Sequence, residues 1–162
     1  MRILGIDPGY GIVGWGLIDV DTNTKVIDYG VVSTPKELSL PDRLKVISSS
    51  IQSLIKSYKP DVMAIEELFY FKNQTTVIPV AEARGVILLS AKMCELPIFE
   101  YTPLQIKQAL TGVGRAEKSQ VQYMVKTILG LESIPKPDDA ADALAVAICH
   151  SQINPRLNIN FV

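Results

Sequence analysis

Three aspartates, Asp138, Asp139 and Asp142, open the segment PKPDDAADALAVAICH, whose remaining residues are almost all alanine, leucine, valine and isoleucine. Pro137 disfavours a helical conformation at Lys136 and Asp138 is suited to cap a first turn, so a helix is expected to start here. Carboxylates at 138 and 139 then have an ordinary structural use, accepting backbone N–H bonds and complementing the helix dipole. Asp142 has none. It lies a full turn further in, among Ala140, Ala141, Ala143, Leu144, Ala145, Val146 and Ile148. A carboxylate held against apolar packing is costly unless it is paired or binds a metal. Positions 139 and 142 are i and i+3, so their side chains share a helix face and can converge on one ion. Paired carboxylates without a basic neighbour in sequence suit a hard cation such as Mg²⁺ or Mn²⁺ better than zinc.

Two further acids occupy equally apolar settings. Asp7 ends RILGID and Glu66 ends VMAIE, both of which read as central strands. Either alone is an ordinary solvated strand end. Together with the two helical aspartates they form a constellation that, if the strands are neighbours, could hold two cations about 3.5–4 Å apart, an arrangement that catalyses phosphoryl displacement. Strand alternation turns Glu67 to the opposite face from Glu66 and so away from such a site.

The elements that must position these acids follow from periodicity. RILGID, GIVGWGLIDV and KVIDYGVVST, separated by glycines and the DTNT turn, suggest an antiparallel meander. LPDRLKVISSSIQSLIKSYKP carries Leu44, Ile47, Ile51, Leu54 and Ile55 at helical spacing and ends at Pro60. VMAIE resembles a buried parallel strand reached by a helical crossover. A second helix is expected in TTVIPVAEARGVILLSAKMCE, a fifth strand in PIFEYT, and helices around 103 to 110, 117 to 129 and 139 to 151. The order βββ-α-β-α-β-α describes an α/β domain with a mixed five-stranded sheet flanked by helices. In DPGYGIVGWG, the glycines Gly9, Gly11, Gly14 and Gly16 fit tight turns and close backbone packing, and Trp15 fits the core. Residues 152–162 show no clear pattern.

The 162 residues, 48% hydrophobic and 20% charged, fit one compact domain. MRILGIDPGYG is neither a signal peptide nor a spanning helix, which points to the cytoplasm and away from a membrane. Cys94 and Cys149 lack CxxC spacing and read as reduced, buried thiols. The formal net charge of −1 does not announce a polyanion-binding protein. Between Tyr101 and Lys126, however, Lys107, Arg115, Lys118 and Lys126 face only Glu117, a basic stretch whose plainest explanation is a solvated helix face. His150, the one histidine, reads as a helix C-terminal residue and not a ligand.

ILGIDPGYGIVGWGLI, AIEELFYFKNQTTVIPVAEARGVIL, YTPLQIKQALTGVGRAEKSQVQYMVKTIL and DDAADALAVAICH together resemble the bacterial RuvC Holliday junction resolvases. The resemblance runs in order from the first strand to about residue 151. It implies a ribonuclease H-like fold over 1–151 followed by a tail over 152–162, a homodimer, and Mg²⁺-dependent endonuclease activity on four-way DNA junctions in recombination and repair. It places the acidic tetrad on Asp7, Glu66, Asp139 and Asp142, with two Mg²⁺ per subunit that Mn²⁺ can replace. Asp138 is left as a cap, or as a substitute ligand if the helix register differs. Lys107 and Lys118 match family lysines that support catalysis or hold DNA, and Phe69 matches an aromatic that stacks on a base near the crossover. Lys72, Arg84 and Arg115 are expected phosphate contacts. Tyr70 and Phe71 read as core or dimer interface. The apolar VAEARGVILLSAKM helix is expected to supply part of that interface, and the RuvA–RuvB branch-migration complex is the implied partner. Two divalent ions would turn the small negative net charge positive.

Three other readings fit parts of the chain: a ribonuclease H-like nuclease acting on RNA or RNA–DNA hybrids, a catalytically silent junction-binding module, and a nucleotide-binding domain that uses the DxG hairpin for phosphates. The four acids argue against the second. The short chain argues against the third, which needs a two-lobed cleft.

Overall fold

The computed structural model describes residues 1–68, 76–153 and 161–162. The strands are β1 (Arg2–Asp7), β2 (Ile12–Val20), β3 (Thr24–Ser33), β4 (Val62–Glu66) and β5 (Ile98–Tyr101). The helices are α1 (Leu40–Tyr58), α2 (Val77–Met93), α3 (Pro103–Thr111), α4 (Lys118–Ile128) and α5 (Asp138–Gln152). They build one five-stranded sheet in the order β3-β2-β1-β4-β5. Pairing is antiparallel within the β1–β2–β3 meander and parallel from β1 to β4 and from β4 to β5. The mixed sheet and the element order are those expected from the sequence pattern.

Alternation divides the core into two layers. Leu4, Ile6, Val13, Leu17, Met63, Ile65 and Ile98 face α1 and α2, where they meet Ile47, Ile51, Ala83 and Ile87. Ile3, Ile18, Ala64 and Tyr101 face the other way, against α3, α4 and α5. Asp7 and Glu66 continue the second set, each two residues beyond a position on the α5 side, Gly5 and Ala64. In the parallel register Ile6 stands beside Ile65, so the two acids end neighbouring strands side by side, about 5 Å apart at the backbone.

Helix α5 is the central element of that layer, with every residue from Ala140 to His150 buried except Asp142. Its closeness to the sheet has a backbone cause. A Cβ on Gly5 would lie 2.1 Å from the Ala143 carbonyl oxygen, one on Gly14 2.0 Å from the Asp139 carbonyl oxygen, and one on Gly16 2.6 Å from Leu144 Cδ2. Gly5 pairs with Gly16 across β1 and β2, and Asp7 pairs with Gly14. The three glycines form a bare strip of sheet on which the helix backbone rests. The close-packing role expected of Gly14 and Gly16 is thus observed, and Gly5 joins them.

Some local expectations are corrected. Asp138 is the first helical residue and not the cap, since Pro137 occupies that position and its carbonyl accepts the N–H of Ala140. Trp15 is only half-buried, its ring centroid 5.9 Å from that of Tyr58. Cys94 is likewise half-buried at the end of α2, whereas Cys149 is fully buried and its thiol is pushed up to about 12 by burial. Both cysteines are free thiols. At the C-terminus, Phe161 forms an antiparallel bridge with Phe99 on β5, and the Val162 N–H donates to Ile98 O at 3.0 Å.

Candidate active site

The four sequence-predicted acids come together at the ends of β1 and β4 and on the first turns of α5. Asp7 retains partial contact with water but is packed closely enough that loss of hydration is the first cause of a pKa well above the usual carboxylate range. The charges of Glu66, Asp142 and Asp139, in that order, raise it further, and Lys118 opposes them. All four acids therefore share one electrostatic site. Asp142 is also raised, chiefly by burial, against the opposing hydrogen bond and charge of Lys118.

Lys118, the first residue of α4, sits where it can answer that negative charge. Its Nζ lies 2.9 Å from Asp142 Oδ2 and 3.8 Å from Asp138 Oδ2. Its own pKa is raised, first by the hydrogen bond to Asp142. The turn that delivers it is fixed between Glu117 and Gln120: the Glu117 N–H donates to Gln120 Oε1 at 2.8 Å and the Gln120 N–H to Glu117 O at 3.1 Å. Asp138 points into a different arrangement, with Lys136 Nζ 2.7 Å away holding its carboxyl below the ordinary range. Asp139, and not Asp138, is among the charges that raise Asp7, whereas both raise Asp142.

Lys107 of α3 completes the rim. It lines, with Glu66, Lys118 and Asp142, an open cavity of about 570 Å³ whose remaining wall includes Pro8, Leu68, Pro103 and Leu104. Glu67, the residue after β4, lines the same cavity. β4 stops at Glu66, and the Glu67 N–H closes the parallel ladder to β5 by donating to Tyr101 O at 2.9 Å.

The remaining basic residues are distributed elsewhere. Arg84 lies on α2, on the opposite face of the sheet from the acids, and is ion-paired with Glu100 of β5. Arg115 lines a separate groove with Val113, Gln120 and Tyr123. Phe69 and Lys72, and with them Tyr70 and Phe71, lie outside the described residues. His150 is buried in the last turns of α5, where Nδ1 is 2.7 Å from the Tyr101 hydroxyl and the Phe99 ring centroid 4.6 Å from its own. Burial lowers its pKa. It is thus a core residue that joins α5 to β5, a role its place in the sequence did not reveal.

Four carboxylates supply hard oxygen donors, the chemistry that divalent cations of the Mg²⁺ type select. Their mutual repulsion at Asp7 is what a bound cation would relieve. Among the described residues no three His, Cys, Asp or Glu side chains stand close enough to enclose a metal ion, so the free-chain site is an open cluster and not a finished cage.

The fold and this cluster define the class: a ribonuclease H-like nuclease domain. The model of the family described as crossover junction endodeoxyribonuclease RuvC matches residues 3–150. A crossover junction endodeoxyribonuclease RuvC of Fusobacterium nucleatum is 58% identical over 151 residues, covering 93% of this chain and 80% of its own length. The Halothermothrix orenii protein of the same name is 56% identical over 159 residues, covering 98% and 96%. The Thermus thermophilus RuvC structure superposes with a TM-score of 0.92 at 31% identity, covering both chains completely. A second Thermus thermophilus RuvC structure, described as a complex with Holliday junction substrate, gives 0.93 at 32% identity over 100% of this chain and 99% of that one. The chain belongs to the RuvC family of crossover junction endodeoxyribonucleases. The yeast mitochondrial Holliday junction resolvase Ydc2, at 14% identity and a TM-score of 0.65, shares the fold.

Proposed function

We propose that this protein resolves four-way DNA junctions by paired phosphodiester hydrolysis, and that Asp7, Glu66, Asp139 and Asp142 hold the divalent cations that reaction uses. The observation that carries the site assignment is the convergence of two parallel strand ends with one helix face: Asp7 and Glu66 side by side, with Asp139 and Asp142 coupled to them. Mg²⁺, two per subunit, is the cation this oxygen-donor set suits, and Mn²⁺ can replace it. When bound, the cations would supply Lewis acidity and a water acidified toward hydroxide.

The protein's own groups then divide the remaining work. Asp7 and Glu66 are carried by the sheet and set the fixed side of the site, while α5 holds Asp139 and Asp142 against it. Lys107 and Lys118, on the cavity rim, are placed to neutralise charge developing on the nonbridging oxygens of the scissile phosphate. The water oxygen bonds to phosphorus, the bond to the 3′ oxygen breaks, and a proton passes to that leaving oxygen. Arg115, Arg84, Lys72 and Phe69 are assigned to DNA contact on the family resemblance, with Arg84 first having to share or leave Glu100.

A two-fold homodimer fits a substrate with two equivalent strands to nick. The outward face of α2 suits the interface: Ile78, Leu89 and Met93 are 68%, 60% and 66% exposed, and beside them Gly85 is open, with nothing within 4 Å of a Cβ built on it. The RuvA–RuvB complex as partner rests on the family resemblance, and the cytoplasm is the compartment proposed for an enzyme that acts on DNA junctions. Among the described residues no helix is long and apolar enough to cross a membrane.

The test is cleavage of a labelled mobile four-way junction beside matched linear duplex and RNA–DNA hybrid, in Mg²⁺ or EDTA. Paired symmetric nicks in the junction alone are expected, abolished by EDTA. Asp142→Asn should lower cleavage roughly a thousandfold or more while junction binding survives. Cleavage of the hybrid instead would reassign the substrate, and binding without nicks would remove the catalytic reading.

A further inference from the structure

The cavity beside the acids has two unlike walls. Glu66, Asp142, Lys107 and Lys118 make one of them polar. Beside these stand Leu68, Pro103 and Leu104, with Pro8 and Val121 continuing the apolar surface; Leu104 lies one turn from Lys107 on α3 and Val121 one turn from Lys118 on α4. Phosphodiester hydrolysis has no use for aliphatic carbon next to a phosphate, since metals, water and a dianionic transition state all favour the polar wall. The apolar wall is nevertheless open. Leu104 is 57% exposed and Leu68 36% exposed.

Leu104 is also firmly placed. It is the second helical residue of α3, directly after Pro103, and the turn is fixed by Thr102 and Gln105, each accepting the other's backbone N–H, at 3.2 and 2.8 Å. Gly114, on the loop leading to α4, makes room for it: a Cβ there would lie 2.6 Å from Leu104 Cδ1. A side chain packed on one flank by a glycine and left bare on the other presents a rigid apolar surface into the cleft.

The part of a DNA substrate that fits such a surface is the face of a nucleobase. A base flanking the scissile phosphate is within one nucleotide of the metal-binding acids, so the polar wall that receives the phosphate and the apolar wall beside it are loaded by the same strand. We propose that Leu104, backed by Pro103 and Leu68, is a nucleobase subsite: it receives the base adjacent to the scissile phosphate, unstacked from its neighbour, and makes cleavage depend on that base. The proposal rests on the reading that Asp7, Glu66, Asp139 and Asp142 form the hydrolytic centre. A four-way junction suits this use, because bases at a branch point are less costly to unstack than those inside a duplex.

The experiment is single-turnover cleavage of junctions carrying an abasic nucleotide on the 5′ or on the 3′ side of the scissile phosphate, with wild type, Leu104→Ser and Leu104→Met. Removing the base on one of the two sides should slow the wild type roughly tenfold, the effect of losing contact with a few methyl groups. Leu104→Ser should slow cleavage of the intact junction by about as much and lose nothing further on the abasic one, while Leu104→Met restores both behaviours. Effects of base removal and of Leu104→Ser that multiply, or base removal that matters on neither side, would overturn the subsite. Thermal unfolding of the Ser variant separates loss of fold from loss of contact, and the Met variant carries the test if Ser unfolds. Asp142→Asn on the intact junction tests the underlying hydrolytic centre separately, since it must abolish cleavage whether or not Leu104 touches a base.

Discussion

Lys118 Nζ lies 2.9 Å from Asp142 Oδ2, so one of the two lysines placed to support the scissile phosphate is, in the free chain, bonded to one of the carboxylates placed to hold metal. The two tasks compete. A divalent ion that takes Asp142 must displace the ammonium, and the displaced ammonium is then available to a phosphate oxygen on the same rim. Lys118→Met should therefore tighten Mn²⁺ binding to the DNA-free protein by about two- to fivefold, the value of a half-exposed ion pair, as read by calorimetry. The same substitution should lower junction cleavage by about a hundredfold. Tighter metal and slower chemistry in one variant is a combination that a purely structural lysine would not give.

Asp7 sets the pH response of the metal-free protein. Its folded-state pKa is raised, by burial first and by Glu66, Asp142 and Asp139 after that. A carboxyl whose folded pKa exceeds its unfolded value favours the fold when protonated, and that contribution is lost as pH rises through the folded pKa. In EDTA, stability should thus increase as pH falls from neutrality toward the carboxylate range, until other acids protonate. Asp7→Asn should reduce this slope, leaving the smaller part that the raised Asp142 contributes, and raise the melting temperature at pH 7 by about 2–4 °C, as a gain of about 1 kcal/mol does for a chain of this size. Mg²⁺ should stabilise the wild type and not the variant. A melting temperature of Asp7→Asn below that of wild type in EDTA would contradict the electrostatic account.

The acids were legible because their signal is local. Asp7 and Glu66 end apolar strands whose alternation assigns them to the α5 face, and Asp139 and Asp142 share a helix face by spacing alone. The sequence was silent where a distant partner decides a residue's surroundings. Arg84 is directed by Glu100, and which side of the sheet α2 covers is not written in the helix itself. His150 has its hydroxyl partner 49 residues away at Tyr101, so a histidine near a helix end gave no sign of its burial. The glycines near the first turn suggested bends and close packing. Only the three-dimensional register shows that Gly5, Gly14 and Gly16 make one strip under α5.

That strip yields a prediction about geometry at a distance. Gly5→Ala places a methyl 2.1 Å from the Ala143 carbonyl oxygen and 2.9 Å from Ala147 Cβ, so α5 must lift from β1. Overpacking of this kind costs about 1–3 kcal/mol, measurable by urea unfolding. Cleavage should fall further than stability explains. Asp139 and Asp142 ride on α5 while Asp7 and Glu66 stay with the sheet, and a displacement of about 1 Å between them is enough for a roughly hundredfold loss. Restoring metal saturation should not recover the rate, because the ligands would be misplaced and not merely weakened.

The outward face of α2 separates assembly from chemistry. Leu89 is 60% exposed on the side of α2 turned away from the sheet, and α2 covers the sheet face opposite to the acids. Leu89→Glu puts a charge into the proposed interface without touching the core, where Ala83, Ile87 and Ala91 supply the buried contacts. Sedimentation should show the wild type as a dimer and the variant as a monomer, with folding stability within about 0.5 kcal/mol of wild type when the two are compared as monomers at high dilution. Metal binding per chain should be unchanged. Junction cleavage should then lose its pairing, with nicks appearing singly and at a rate that rises with protein concentration as the weakened dimer re-forms. A variant that remains dimeric would place the interface on another surface, and a wild type that sediments as a monomer at working concentration would remove the dimer altogether.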